Sequence, residues 1–153
     1  MRLTKSFSAR SFADALESWQ WVELRGKTPV LASLFGDVFL QDPSGYWFLD
    51  TVEGALTQPW TKRDQVQATL ATEEGQDQYL LGGLAFAASD AGLVLTDDEV
   101  YSFKIPPVLG GQFDVANIEV ADFVVAVNLL GQIHQQVKTL PPGSKISGFT
   151  VSD

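Results

Sequence analysis

The stretch Phe123 to Leu140, FVVAVNLLGQIHQQVKTL, constrains the fold more than any other part of this 153-residue chain. Phe123, Ala126, Leu130, Ile133, Val137 and Leu140 recur in steps of three and four, the spacing of a helix that buries one stripe. Pro141 and Pro142 cannot continue the i to i−4 ladder and Gly143 accepts a positive φ, so the helix is expected to stop there. Val124, Val125, Val127 and Leu129 spread apolar surface around its first half. A helix of this kind is expected to be covered on more than one side and to serve as a central element.

The clearest strand signals lie far upstream, in FGDVFLQDPSGYWFLDTVEGALTQPW. Runs at about Phe35 to Gln41 and Tyr46 to Asp50 flank Asp42-Pro43-Ser44-Gly45, where Pro presets φ and Gly relaxes it, a turn by composition. Glu53-Gly54 supplies a second turn and returns Ala55 to Gln58 as a third strand, giving an antiparallel meander. Before the meander, Ser11 to Val22 reads as a short amphipathic helix through Phe12, Ala15, Leu16 and Trp19, with Ser11 as its cap. After it, Thr61 and Asp64 are placed to open a helix reaching about Ala71. Helical turns follow at Asp77 to Leu81 and Leu84 to Ala91, then strands at Leu93 to Leu95, Val100 to Phe103 and Phe113 to Val120. Residues 144–153 are weakly patterned and expected to fray. No composition step calls for a second domain, so residues 1–153 read as one α+β domain. Its expected form is an antiparallel sheet of four to six strands, helices packed mainly on one face, and a long C-terminal helix.

Charge is distributed unevenly. Asp64 to Asp122 carries eleven acids against one base, Lys104, a net −10, whereas the remainder has eight acids and nine bases and is close to neutral; the whole chain is −9. Phosphate contacts need a basic stripe, so nucleic acid is not an expected partner. A basic protein surface is the natural complement. The densest acidic runs are Asp97, Asp98 and Glu99, then Glu73, Glu74 and Asp77; these six are the candidate contacts, with Trp60 and Tyr79 as aromatic anchors if exposed. The absence of Cys removes disulfides and thiolate chemistry, and no apolar run has the length of a membrane span, so a cytoplasmic protein is expected.

Catalytic and metal signals are weak. His134 is the single histidine, and no serine lies in a nucleophile-elbow sequence. The acidic runs lack the alternating ligands and glycine of a calcium loop, and neither a catalytic set nor a cofactor or metal is expected. A structural hydrogen bond is the expected role of His134. KIPPVLGG, Lys104 to Gly111, combines two prolines, an apolar pair suited to the core and two glycines for reversal, a rigid brace for the helix that follows. An alternative function is a small-ligand sensor whose pocket is lined by Lys104, Pro106, Pro107 and His134.

Three segments taken in order, FGDVFLQDPSGYWFLDT (Phe35 to Thr51), VYSFKIPPVLGG (Val100 to Gly111) and LGQIHQQVKTLPPG (Leu130 to Gly143), resemble a bacterial domain family best known as the C-terminal part of type VI secretion immunity proteins. The resemblance spans about residues 35–143. In that family the domain often follows a GAD-like domain, in whose place this chain has the short helix at about residues 11–22. The resemblance implies an intracellular, non-catalytic protein that binds a cognate toxin, a nuclease in the best-known examples, and blocks it.

Overall fold

The computed structural model of the chain describes residues 1–140. The Pro141-Pro142-Gly143 stop and the tail from residue 144 lie outside the described residues.

Five strands form one antiparallel sheet in sequence order: β1 (Thr4–Lys5), β2 (Thr28–Ser33), β3 (Val38–Asp42), β4 (Gly45–Asp50) and β5 (Ala55–Trp60). The β3–β4 hairpin is built by the expected turn. Asp42 and Gly45 are its last register pair, and Asp42 Oδ1 accepts from Ser44 N at 2.9 Å, Ser44 Oγ at 2.6 Å and Gly45 N at 3.2 Å. Three helices follow, α2 (Arg63–Leu70), α3 (Glu73–Leu80) and α4 (Gly82–Asp90). A separate antiparallel hairpin, β6 (Glu99–Phe103) and β7 (Ile118–Asp122), leads into α5 (Phe123–Lys138); near the N-terminus α1 is Ala9–Leu16. The hairpin is tied to the large sheet where Tyr101 N donates to Leu34 O at 2.7 Å.

The α+β class, the antiparallel sheet and the long late helix stand as expected. The helices, however, are shared between the two faces of the sheet. Because side chains alternate along a strand, Ala32, Val38, Leu40 and Leu49 face one way and pack with Phe12, Leu16, Trp19, Phe123 and Val127 from the α1–α5 side. Leu31, Phe39, Phe48 and Trp60 face the other way and pack with Leu80, Ala85 and Ala88 of α3 and α4 and with Tyr101 and Phe103 of β6. The two apolar periodicities were legible separately, but the side on which each helix lands was not.

The α1–α5 side is held by more than apolar contact. Trp19 Nε1 donates to Val127 O at 2.8 Å, Trp21 Nε1 to Gly131 O at 3.2 Å and Ser18 Oγ to Asn128 O at 2.6 Å, using spare lone pairs on α5 carbonyls. Gly131 permits this approach, since a methyl there would run into Ser18 Oγ and the Trp19 ring. Phe7 stacks on Phe123 at 3.8 Å between ring centroids and Phe12 meets it edge-on. On the opposite side α2 has no buried residue at all.

Several local expectations are corrected. Ser8, not Ser11, caps α1, its Oγ accepting from Ser11 N at 3.0 Å. At α2, Gln65 Oε1 accepts from Thr61 N at 2.8 Å and Lys62 N at 3.1 Å, so Gln65 supplies the entry contacts expected of Thr61 and Asp64. Leu93 to Leu95 is a connection, not a strand, fixed by Tyr101 Oη donating to Leu93 O. Residues 113–117 precede β7 as a 3-10 turn, Val115–Asn117, capped by Asp114. On α5 the buried side includes Val127, Gly131 and His134 alongside Phe123, Ala126 and Ile133, whereas Val125 is 64% and Leu129 36% exposed. The helix is therefore covered on one broad side, because the tryptophan donors pull the contact toward Val127 and Gly131.

Candidate partner-binding surface

The two acidic runs are carried by different elements. On α3, Thr72 Oγ1 caps the helix by accepting from Gly75 N at 3.0 Å, and Glu73 and Glu74 stand exposed in the first turn, where the helix dipole favours negative charge. Gly75 sits so close to the end of α2 that a methyl would collide with the Thr69 carbonyl oxygen, which fixes the direction of α3. Asp77 is also exposed but occupied: its Oδ1 accepts from Gly83 N at 3.0 Å and caps α4. Leu81 joins the two helices with φ of 50°, the left-handed region that a non-glycine residue rarely enters.

The second run is a pinned turn. Lys5 Nζ donates to Thr96 O at 2.7 Å and to Glu99 O at 2.6 Å, and Phe123 N donates to Asp98 O at 2.8 Å, so β1 and the start of α5 hold it from two sides. Glu99 Oε1 accepts from Thr96 N at 2.9 Å; that bond, with lesser help from Lys5, holds the Glu99 carboxyl below its ordinary range. Burial pulls the Lys5 ammonium down in spite of the opposing charges of Asp97, Glu99 and Asp98. Asp97 and Asp98 are exposed and line a polar cleft of about 540 Å³ together with Arg2, Lys5 and Ser8. This run is thus accompanied by cations, while Glu73 and Glu74 are not, and no hydrogen bond or ion pair joins the two runs among the described residues.

The aromatic anchors divide. Trp60 is 4% exposed, stacks on Phe39 and donates from Nε1 to Thr69 Oγ1 at 3.0 Å, so the exposure required of an anchor is not met. Tyr79 is half-buried against Trp60 and Phe48, at 4.8 Å and 5.1 Å between ring centroids.

His134 is 5% exposed, and its Nε2 lies 2.9 Å from Thr51 O. A carbonyl only accepts, so Nε2 carries the proton. Gly54, at φ of 76°, lies against the ring so closely that a methyl would strike Nδ1. Burial lowers the imidazole pKa, outweighing the Thr51 bond and the charges of Asp50 and Glu53. Lys104, Pro106 and Pro107 belong instead to a loop bracketed by Asn117, whose Nδ2 donates to Ile105 O and Gln112 O, both at 2.9 Å, and whose Oδ1 accepts from Ile105 N. Gly111 lets this loop close over the Ile105 carbonyl, and Val108 and Leu109 are half-buried in a 3-10 turn, not core plugs. No hydrogen bond joins this loop to His134 among the described residues: Asn117 closes the loop, while His134 is held at Thr51.

One polar group escaped sequence reasoning. Asp37 is 3% exposed between Ser33, whose Oγ donates to Oδ2 at 2.9 Å, and Thr51, whose N and Oγ1 donate to Oδ1 at 2.8 and 2.9 Å. Burial, reinforced by Asp50, raises its pKa to about 7 against the pull of those donors. A lone acid inside the apolar run LFGDVFL was the available signal. Thr51 therefore links Asp37 through its N–H and hydroxyl to His134 through its carbonyl. No group of three or more His, Asp or Glu among the described residues is arranged to hold a metal ion, and no described helix is long and apolar enough to cross a membrane.

All six acids and Tyr79 lie in the half of the chain that follows the large sheet. Residues 61–134 match the family described as T6SS immunity protein Tdi1, C-terminal. The Tdi1 C-terminal match begins just past β5 and takes in α2 to α4, the β6–β7 hairpin and α5 as far as His134. It contains VYSFKIPPVLGG and the start of LGQIHQQVKTLPPG, while FGDVFLQDPSGYWFLDT, the central hairpin of the sheet, lies outside it. Among solved structures the fold is similar to the crystal structure of Atu4351 from Agrobacterium tumefaciens, with a TM-score of 0.61 at 16% identity. That similarity covers 85% of this chain and 66% of the Atu4351 chain. No curated protein matches the chain.

Proposed function

We propose that this protein is an immunity-type binding module that neutralises a cognate toxin in the cytoplasm by covering a basic surface on it, acting through association without turnover. The observation that carries the reading is the Tdi1 C-terminal match, whose residues include all six candidate acids. The electrostatics favour Glu73 and Glu74 as leading contacts, since they are exposed at a helix N-terminus without a cation beside them, and assign Asp97, Asp98 and Glu99 a secondary share. Asp77 mainly holds α4 in place. Tyr79 contributes its partly exposed ring, and Trp60 supports it from beneath. A nuclease is the toxin class best suited to such a surface, because its substrate groove must be cationic to hold phosphates.

The test pairs the protein with the effector encoded in its own gene cluster. Co-expression should restore growth, and the purified pair should associate with an on-rate that falls steeply as salt is raised. Replacing Glu73 and Glu74 with Gln should slow association about tenfold at low salt and leave dissociation nearly unchanged. Failure of the wild-type protein to protect cells or bind that effector contradicts the immunity reading; binding with salt-independent on-rates contradicts the acidic mechanism alone.

A further inference from the structure

A cleft of about 560 Å³ lies between the outer part of the large sheet and α2, on the face away from α1 and α5. Its apolar walls are Val30, Leu31 and Phe39 from the sheet and Val66 and Leu70 from α2. The sequence makes the gap. α2, RDQVQATL, has only Val66, Ala68 and Leu70 as apolar residues and buries none of them fully, so it lies on the sheet without closing on it. Beyond α2 the floor of β2 and β3 stays open, and Val30 is 40% exposed at the rim. The volume falls within the roughly 300–1,000 Å³ of small-molecule sites, and the lining has their character, apolar walls with a few polar groups, here Gln41, Tyr46 and Gln67.

One charged side chain lines this cleft, Arg63. It is the first residue of α2, where the helix dipole also favours an anion. Among the described residues its guanidinium has no ion pair and no hydrogen bond, in a chain whose acids outnumber its bases by nineteen to ten. An unpaired guanidinium at the mouth of an apolar trough complements a ligand with an apolar body and one carboxylate, which Arg can engage with two parallel bonds. A strand from another protein suits the place less well. β1 pairs only with Ala32 and Ser33, so the outer edge of β2 is free at Thr28 to Leu31, but Pro29 has no N–H to donate and the register slips between Pro29 and Leu31.

We propose that this cleft binds an amphipathic monocarboxylate, with the aliphatic body against Leu31, Phe39, Val66 and Leu70 and the carboxylate on Arg63. Decanoate is a suitable probe below its micelle concentration, titrated into the full-length protein and followed by calorimetry and by backbone amide shifts. Saturable binding with shifts confined to β2, β3 and α2 is expected, and Arg63→Gln should weaken it about tenfold, as removal of one charged hydrogen-bonding partner does. Decanol should bind at least as weakly to the wild-type protein as decanoate binds to that variant. The proposal is overturned if decanoate causes no saturable shift at these elements, if the alcohol binds as tightly as the acid, or if Arg63→Gln binds like wild type. Saturable occupation of the cleft by an uncharged extended peptide, with decanoate excluded, would also overturn it by assigning the cleft to a protein segment.

Discussion

The two faces of the large sheet are finished in different ways. Toward α1 and α5, aromatic rings fill the space and the Trp19, Trp21 and Ser18 side chains donate to carbonyls of α5, so geometry is fixed by hydrogen bonds as well as by volume. Toward α2, α3 and α4 the core is equally apolar at its centre, around Phe39, Phe48 and Trp60, but its cover is thinner: part of the β6–β7 hairpin and three short helices, the first without a buried residue, with a cleft beneath it. The exposed acids of α3 and the one unpaired arginine of the cleft both belong to this second face. A protein built this way keeps a rigid scaffold behind a surface with spare groups to offer, which suits recognition better than it suits stability.

The contrast is broken most forcefully at Trp19. Trp19→Ala removes a fully buried ring and the bond to Val127 O, and should cost about 3–5 kcal/mol in urea unfolding. A loss under about 1 kcal/mol would mean that the α1–α5 face is no tighter than the other.

A smaller effect separates the polar knot between the faces. The Asp37 pKa is raised to about 7 from an ordinary 3.8, so the folded state holds a proton that the unfolded chain has released, and stability falls as pH rises through that window. The loss should be on the order of 2 kcal/mol between pH 5 and 8. Asp37→Asn keeps an acceptor for Thr51 and should remove that decline, read in a His134→Gln background because the unfolded-state imidazole still titrates around 6.5. The His134 pKa is lowered, so its contribution has the opposite sense: stability is lost as pH falls below the ordinary value of 6.5, and His134→Gln should flatten that side. A stability of His134→Gln that is level from pH 5 to 8 would rule out the buried-acid account. Least affected should be Leu70→Ala, on the thin face, at about 1 kcal/mol because the side chain is only half-buried.

What could be read from the chain in advance follows from how local the cause is. The Asp42-Pro43-Ser44-Gly45 turn carries its own hydrogen bonds, and the strands around it were legible to within a few residues. The periodicity of α5 likewise predicted its existence, but its buried side is rotated toward Val127 and His134 by donors more than a hundred residues away in the turns that follow α1. β1 is two residues long and exists only because β2 offers an edge, so no pattern marks it. The acidic runs were visible as composition; that Lys5 would sit beside Asp97 to Glu99, or that Asp77 would cap α4, depends on tertiary placement. Asp37 was hidden for the same reason, since its partner Thr51 is fourteen residues distant.

Native-state hydrogen exchange tests the asymmetry most directly, because it reads the opening free energy of each element in one sample. Amides of α5 and of the central strands β3 and β4 should exchange only through global unfolding, with a dependence on denaturant matching the whole protein, while amides of α2 exchange through local opening at much lower free energy. Equal protection of α2 and α5 would contradict the account.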